Sequence, residues 1–447
     1  MPRQHQTYGA IEDYQDNELV VALPDCGVAT RALTSLNIRF SQEDDSRLGL
    51  ALLTLSNVAD AIRGLPGYAD LVQRVTRAKG PSDLPQRTGG PSDLDVLLYK
   101  LREDISVEYG GWTPEMGKNR TISPVVGFPH VSGCTEGDPS LLGFADPQLP
   151  EDRQGDPQLT RDRQGWPPRP TEPGHGVQVG LLDTRMYRNP WLDGSYLATA
   201  NDLFEIPSSG DDVPAREGHA TFIAGLILRQ APGARLILHT VMGPQAVGKT
   251  WDVAKAMVQV ASKGVHILNL SFGCYTDDGQ PPLVLAKAVH LISRDVLLVA
   301  AAGNHGNIEE LRKEGSELAT APWMQNIKDT TPVWPAALPE VTAVGATDAI
   351  GGPAPFSPNL PWVDVTARGV SVESTYLYGP VRLSYPTPGS DPTQKFDGFA
   401  CWRGTSFAAG TVSGAVAARI GPGCDARQAL TAALGDRNSG IQRFPKI

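Results

Sequence analysis

The sequence predicts an α/β protein built on a mostly parallel sheet and preceded by a smaller α+β unit. Two observations in residues 173–447 carry the first part. Four short apolar runs, Val177–Leu182, Arg235–Val241, His266–Leu270 and Val296–Ala300, read as strands buried on both faces. They alternate with helical patterns at Thr221–Leu228, Asp252–Ser262 and Leu283–Ile292. Such alternation needs crossover connections, and hence parallel pairing. A third observation is that residues 1–110 lack this rhythm and follow the order β-α-β-β-α instead.

Within that first unit, Glu18–Leu23 reads as a strand, and Val28, Ala32, Leu33 and Leu36 share one helix face. Asn37–Ser41 and Leu48–Leu55 read as strands. Asn57 is placed to cap a helix through Val58, Ile62 and Leu65, which Pro66-Gly67 breaks. A further helix, Leu94–Leu101 with Ser92 as its cap, and a short strand, Ile105–Tyr109, complete the unit. Residues 111–172 are rich in glycine, proline and polar side chains. They hold a tandem decapeptide, Asp146–Gly155 and then Asp156–Gly165. Two short copies are too few to stack as a solenoid, so 111–172 is expected to be a linker.

Composition narrows the function classes. The chain has 447 residues, room for a catalytic domain and a second unit. Its net charge of -10 argues against a nucleic-acid partner. No stretch of apolar residues is long enough to span a membrane, and Met1–Gln6 opens no apolar leader. The cysteines at 26, 134, 274, 401 and 424 have no paired spacing, which fits reduced thiols and a cytoplasmic location. His175, His239, His266 and His290 have no partners at metal-ligand spacing, and His305 reads as a surface neighbour of Asn304. Neither a metal nor a cofactor is expected. Cys401 is read as structural.

Four segments carry chemistry. Gly404-Thr405-Ser406-Phe407-Ala408-Ala409 places a serine between a turn and a helix, where the positive end of the helix dipole favours a nearby anion. Val299–Asn304 ends a strand in a Gly-Asn turn that leaves an amide at the sheet edge. Glu217-Gly218-His219-Ala220-Thr221 opens a helix on a histidine. Val177–Asp183 ends a strand on a carboxylate. Functional groups of open α/β sheets collect at such carboxyl ends.

Around Asp183, His219, Asn304 and Ser406, together with Leu268–Gly273 and Trp334-Pro335-Ala336, residues 173–435 resemble the subtilisin-like serine peptidases. The order Asp…His…Ser is that of subtilisin. The resemblance implies a subtilisin-like three-layer domain, with an acyl-enzyme mechanism acting on protein or peptide substrates. Asp183, His219 and Ser406 would form the triad, and Asn304 would bind the oxyanion. Ser271, Phe272 and Gly273 match the edge that pairs with substrate. Ala301, Ala302 and Gly303 match the opposite wall of the primary specificity pocket. The family's usual His-Gly-Thr-His is His219-Ala220-Thr221-Phe222 here, and Gly410-Thr411 replaces its Pro-His. Between the His219 helix and the next strand there is no room for the family's calcium loop. An insertion at 307–331 borders the cleft and is read as a lid or a surface excursion. Residues 1–110 resemble the family's inhibitory prodomain, with a recruitment domain as the other reading. An active endopeptidase is expected, as a zymogen or a dedicated intracellular processing protease, the alternative being a catalytically silent scaffold that acts as a peptide-binding or regulatory module.

Overall fold

The computed structural model describes residues 14–78, 90–124, 139–140, 172–205, 212–243, 246–276, 278–313, 327–383 and 391–444. The tandem repeat, Cys134 and the middle of the 307–331 insertion lie outside them.

The first unit comprises β1 (Tyr14–Ala22), α1 (Cys26–Ser35), β2 (Arg39–Asp45), β3 (Leu50–Ser56), α2 (Val58–Arg63), α3 (Tyr68–Ala78), α4 (Asp93–Glu108) and β4 (Met116–Pro124). Its strands run in the order β4-β1-β3-β2 with every neighbour antiparallel. Side chains alternate across the sheet, and β1 shows the division. Leu19 and Val21 pack with the helices of this unit, while Val20 and Ala22 join a core shared with the larger unit. Both faces of β1 are therefore buried.

Three sequence expectations change here. Ile105–Tyr109 is not a strand, because α4 runs on through Glu108. Leu94, Leu97, Leu98, Leu101 and Ile105 form one buried stripe at helical spacing, and that stripe outweighs the local Ile-x-Val alternation. A reciprocal Ser92–Asp95 capping box starts the helix. Tyr68–Ala78 adds a helix that the sequence reading left out. Met116–Pro124, inside the stretch expected to be linker, is a strand, and Ser140 bridges to Cys401.

The larger unit is built on β5 (Gln178–Asp183), α5 (His219–Gln230), β6 (Arg235–Thr240), α6 (Thr250–Ala261), β7 (Ile267–Leu270), β8 (Phe272–Gly273), α7 (Leu283–Ile292), β9 (Leu297–Ala301), β10 (Val341–Thr347) and β11 (Val365–Arg368). It continues through β12 (Val372–Arg382), β13 (Thr393–Trp402), α8 (Thr405–Ala417), α9 (Ala426–Gly435) and β14 (Ile441–Arg443). Its main sheet runs β14-β11-β10-β9-β7-β5-β6, with Tyr196–Leu197 beyond β6. All pairings are parallel except that of β14. Along β9, Leu297, Val299 and Ala301 face α5 and α8, whereas Leu298 and Ala300 face α6 and α7. Helices cover both sides, giving the three layers. From β5 the chain steps to β6 on one side and then returns to β7 on the other. The strand order therefore switches at β5, and a crevice opens beyond its carboxyl end.

Candidate active site

Asp183 is the last residue of β5 and faces that crevice. His219 is the first residue of α5, following a short turn at Ala215–Gly218. Gly218 is required there, since a Cβ at that position would lie 2.1 Å from the ring of Tyr376. The two elements bring His219 Nδ1 to 2.8 and 3.0 Å from the carboxylate oxygens of Asp183. Asp183 Oδ1 also accepts the Thr184 N–H at 2.7 Å. The carboxylate thus holds the imidazole with Nδ1 as donor, leaving Nε2 as the basic nitrogen. Nε2 is buried and makes no hydrogen bond among the described residues.

Ser406 lies in the first turn of α8. Its hydroxyl donates to the Ser271 carbonyl at 3.0 Å, and the Ser271 hydroxyl donates to the Ser406 carbonyl at 3.0 Å. Asn269 and Ser413 extend this network behind Ser271. Asn304 follows β9 after Gly303, whose φ of 107° is a backbone state that glycine adopts without strain. Asn304 Oδ1 accepts the Thr405 N–H at 2.9 Å, with the Thr405 hydroxyl at 3.1 Å. That pairing fixes which way the amide points and frees Nδ2, which is buried without a partner among the described residues. Two buried nitrogens, one basic and one a donor, are therefore unpaired among the described residues. Asp183, His219, Asn304 and Ser406 are each no more than 2% exposed.

The six expected substrate-binding residues fall on two strand ends. Ser271, Phe272 and Gly273 follow β7, and Ala301, Ala302 and Gly303 close β9, its parallel neighbour. The first of these ends is already paired. Ser123 lies opposite Gly273 and Pro124 opposite Phe272, both antiparallel. On the same strand, Thr121 and Ile122 pair with Lys249 and Gly248. Ile122 is 1% exposed and packs in the core that holds Phe272, Met242 and Trp251. β4 is further anchored through Asn119, whose Oδ1 accepts the Trp251 N–H at 2.9 Å and the Thr250 hydroxyl at 3.0 Å. Its amide donates to Glu18 at 2.7 Å.

Several contributors escaped the sequence reading. Thr184 and Thr405 set the two partners just described, and each directly follows or precedes a motif residue. His305 is not a surface neighbour, being fully buried. Its Nε2 donates to the Thr331 carbonyl at 2.8 Å and its Nδ1 accepts the Tyr275 hydroxyl at 3.2 Å. Burial lowers the His305 pKa to about 4 and raises that of the Tyr275 phenol. Helix Ile308–Lys313 opens the insertion, as the spacing of Glu309 and Lys313 suggested. Among the described residues no group of three or more His, Cys, Asp or Glu side chains is arranged to hold a metal ion. No helix among them is long and apolar enough to cross a membrane.

A doubly wound parallel sheet with an Asp–His pair and a helix-borne serine at its switch point defines a serine hydrolase of the subtilisin type. The match of residues 174–421 to the Subtilase family model agrees, and the chain belongs to that family. It is 32% identical over 254 residues to subtilisin BL from Lederbergia lenta, covering 55% of this chain and 76% of that protein. It is 30% identical over 274 residues to mycosin-4 from Mycobacterium tuberculosis, covering 55% of each. Among solved structures it is similar to fervidolysin from Fervidobacterium pennivorans, a keratinolytic enzyme related to subtilisin. That match has 17% identity and a TM-score of 0.51, over 91% of this chain and 55% of the other. A lanthipeptide protease matches with 25% identity and a TM-score of 0.44, over 59% of this chain and 82% of that one. This protein is a subtilisin-like serine endopeptidase, a hydrolase of peptide bonds.

Proposed function

We propose that Ser406 is the nucleophile, His219 its general base and then the acid for the leaving amine, and Asp183 the group that orients the imidazole. In this reading the Ser406 hydroxyl turns from the Ser271 carbonyl to His219 Nε2 and attacks the scissile carbonyl. The oxyanion that forms is bound by Asn304 Nδ2 and the Ser406 N–H, at the positive end of α8. The two unpaired buried nitrogens support these roles, because each acquires a partner only when a substrate reacts.

We further propose that the chain is a self-inhibited precursor of a dedicated processing protease, with a protein or precursor peptide as substrate. The first unit, through Pro124, is its intramolecular inhibitor. One observation carries this: β4 pairs antiparallel with Phe272–Gly273 and also with Gly248–Lys249, as an extended peptide adds to a strand edge. Composition alone supports the cytoplasm as its setting.

A fluorophosphonate probe on the full-length chain tests both parts. Ser406→Ala should abolish labelling, and labelling that persists would refute the nucleophile. Ile122→Asp puts a charge in the apolar seat of β4 and should raise the labelling rate of the intact chain. An unchanged rate, with circular dichroism showing a folded protein, would refute the inhibitory strand.

A further inference from the structure

The register of β4 shows where a substrate side chain next to the scissile bond must go. Pro124 lies opposite Phe272, so a chain in that register brings its following residue opposite Ser271. The Ser271 carbonyl is 3.0 Å from the Ser406 hydroxyl, so that residue presents its own carbonyl to the nucleophile. Its side chain enters the slot between the ends of β7 and β9, with Ser271–Gly273 on one side and Ala301–Gly303 on the other.

The wall of that slot at Gly303 is closely packed. A Cβ on Gly303 would lie 2.8 Å from Val333 Cγ2 and 2.7 Å from His305 Nδ1, so both side chains press against the wall at Gly303. Tyr275, two residues beyond the Gly273 wall, reaches His305 on the other side. Their rings meet edge to face at 5.2 Å, and the hydroxyl-to-Nδ1 bond of 3.2 Å joins the two walls. Behind them, Cys274 and Trp334 exchange main-chain hydrogen bonds at 3.0 Å, which holds the segment after Val333 against the first wall.

We propose that the primary specificity pocket is short, filled by Val333 and closed across by Tyr275 and His305. It accepts small uncharged side chains, up to the size of valine, in the residue that supplies the scissile carbonyl. The inference rests on the reading of β4 as lying in the substrate path. Leucine, methionine and aromatic side chains would have to displace Val333 or part the Tyr275–His305 contact. Close-packed interiors resist such displacement. Lysine and arginine meet no carboxylate among the groups that fill the slot, and His305 is neutral above about pH 4, so it offers no cation to an acidic side chain. Val333 is the specificity-determining residue, and Tyr275 and His305 position it from the side.

The test uses full-length protein brought to constant activity, with peptides of the sequence Asn119–Pro124 followed by one varied residue and a fluorogenic amide. Alanine and valine at the varied position should exceed leucine, phenylalanine, lysine and glutamate in kcat/KM by roughly tenfold or more, the scale on which pockets discriminate by size. Val333→Gly should raise kcat/KM for leucine and phenylalanine by roughly tenfold while changing alanine little, and Val333→Ala should give a smaller shift in the same direction. A wild-type preference for phenylalanine or leucine overturns the proposal without any variant. Fluorophosphonate labelling in the same samples separates the two ways of failing. A reactive serine with a large-residue preference removes only the pocket assignment, whereas an inert serine removes the catalytic reading together with it.

Discussion

The hydroxyl of Ser406 is hydrogen-bonded to the Ser271 carbonyl and not to His219. Ser406 is thus held against the end of β7, 3.0 Å from a main-chain oxygen, while the His219 Nε2 has no hydrogen-bond partner among the described residues. In the proposed mechanism the Ser406 hydroxyl exchanges that carbonyl for His219 Nε2. Catalytic hydrogen bonds of this kind often tighten only once substrate is bound.

The Asp183–His219 pair should matter most through its tautomer. Asp183→Asn keeps the shape but lets the imidazole present the wrong nitrogen to Ser406. A kcat loss of about 10⁴-fold is expected, as in unrelated serine peptidases with the same arrangement. Steady-state kinetics on a peptide amide measures it, and a loss under tenfold would refute the orienting role.

Asn304→Ala should lower kcat by roughly 10²–10³-fold with KM little changed, the range known from removing this amide in subtilisin itself. Thr405→Val should show part of that loss, since it removes the hydroxyl 3.1 Å from the Asn304 carbonyl oxygen but keeps the main-chain donor. Equal kcat in Asn304→Ala and wild type would exclude the oxyanion contact.

Asn119 joins β4 to the first turn of α6 through the Trp251 N–H and the Thr250 hydroxyl. Asn119→Ala leaves those buried donors without their acceptor, at a cost of about 1 kcal/mol or somewhat more. The fluorophosphonate labelling rate of the intact chain should then rise about fivefold if opening of the first unit limits access. A rate equal to wild type would show that this contact does not hold the unit in place.

The buried His305 sets a pH dependence whose sign follows from its lowered pKa. In the unfolded chain the imidazole titrates near the ordinary value of about 6.5. In the folded protein burial keeps it neutral down to about pH 4, against the opposing pull of its hydrogen bond to the Thr331 carbonyl. Between those values the unfolded state binds more protons, so stability is intact above pH 6.5 and falls as pH drops toward 4, by about 3 kcal/mol. Urea denaturation of wild type and His305→Gln across pH 7 to 4 should show a shallower fall for the variant. Parallel curves would refute the assignment.

The strands β5, β6, β7 and β9 were legible because each is a run of apolar residues that only a doubly covered sheet accommodates. The motif residues stood out because Asp183 and Asn304 follow such runs and His219 and Ser406 open helices. β4 was not legible. Met116–Pro124 includes lysine, asparagine, arginine and threonine, with no apolar alternation, and its strand character comes from β1, Gly248–Lys249 and Phe272–Gly273. Local pattern carries no trace of partners about a hundred residues away or more. The end of α4 misled for the opposite reason, since Ile105-Ser-Val-Glu-Tyr alternates like a strand while Ile105 continues a helix stripe begun at Leu94. His305 looked like an accident of following Asn304. Its role depends on Tyr275 and Thr331, which only the folded chain brings to it.

All thirteen residues of α8 are buried, and four of them are alanine, with two glycines, so the helix packs closely against α5 and the sheet. Ser406 is therefore mounted on a part of the molecule that has no separate way of loosening. Amide hydrogens of α8 should exchange only through global unfolding, on the slowest timescale the protein shows. Loss of activity on heating should then coincide with loss of the whole fold and not precede it. For a peptidase, that leaves no partly melted population in which a working active site meets unfolded copies of its own chain.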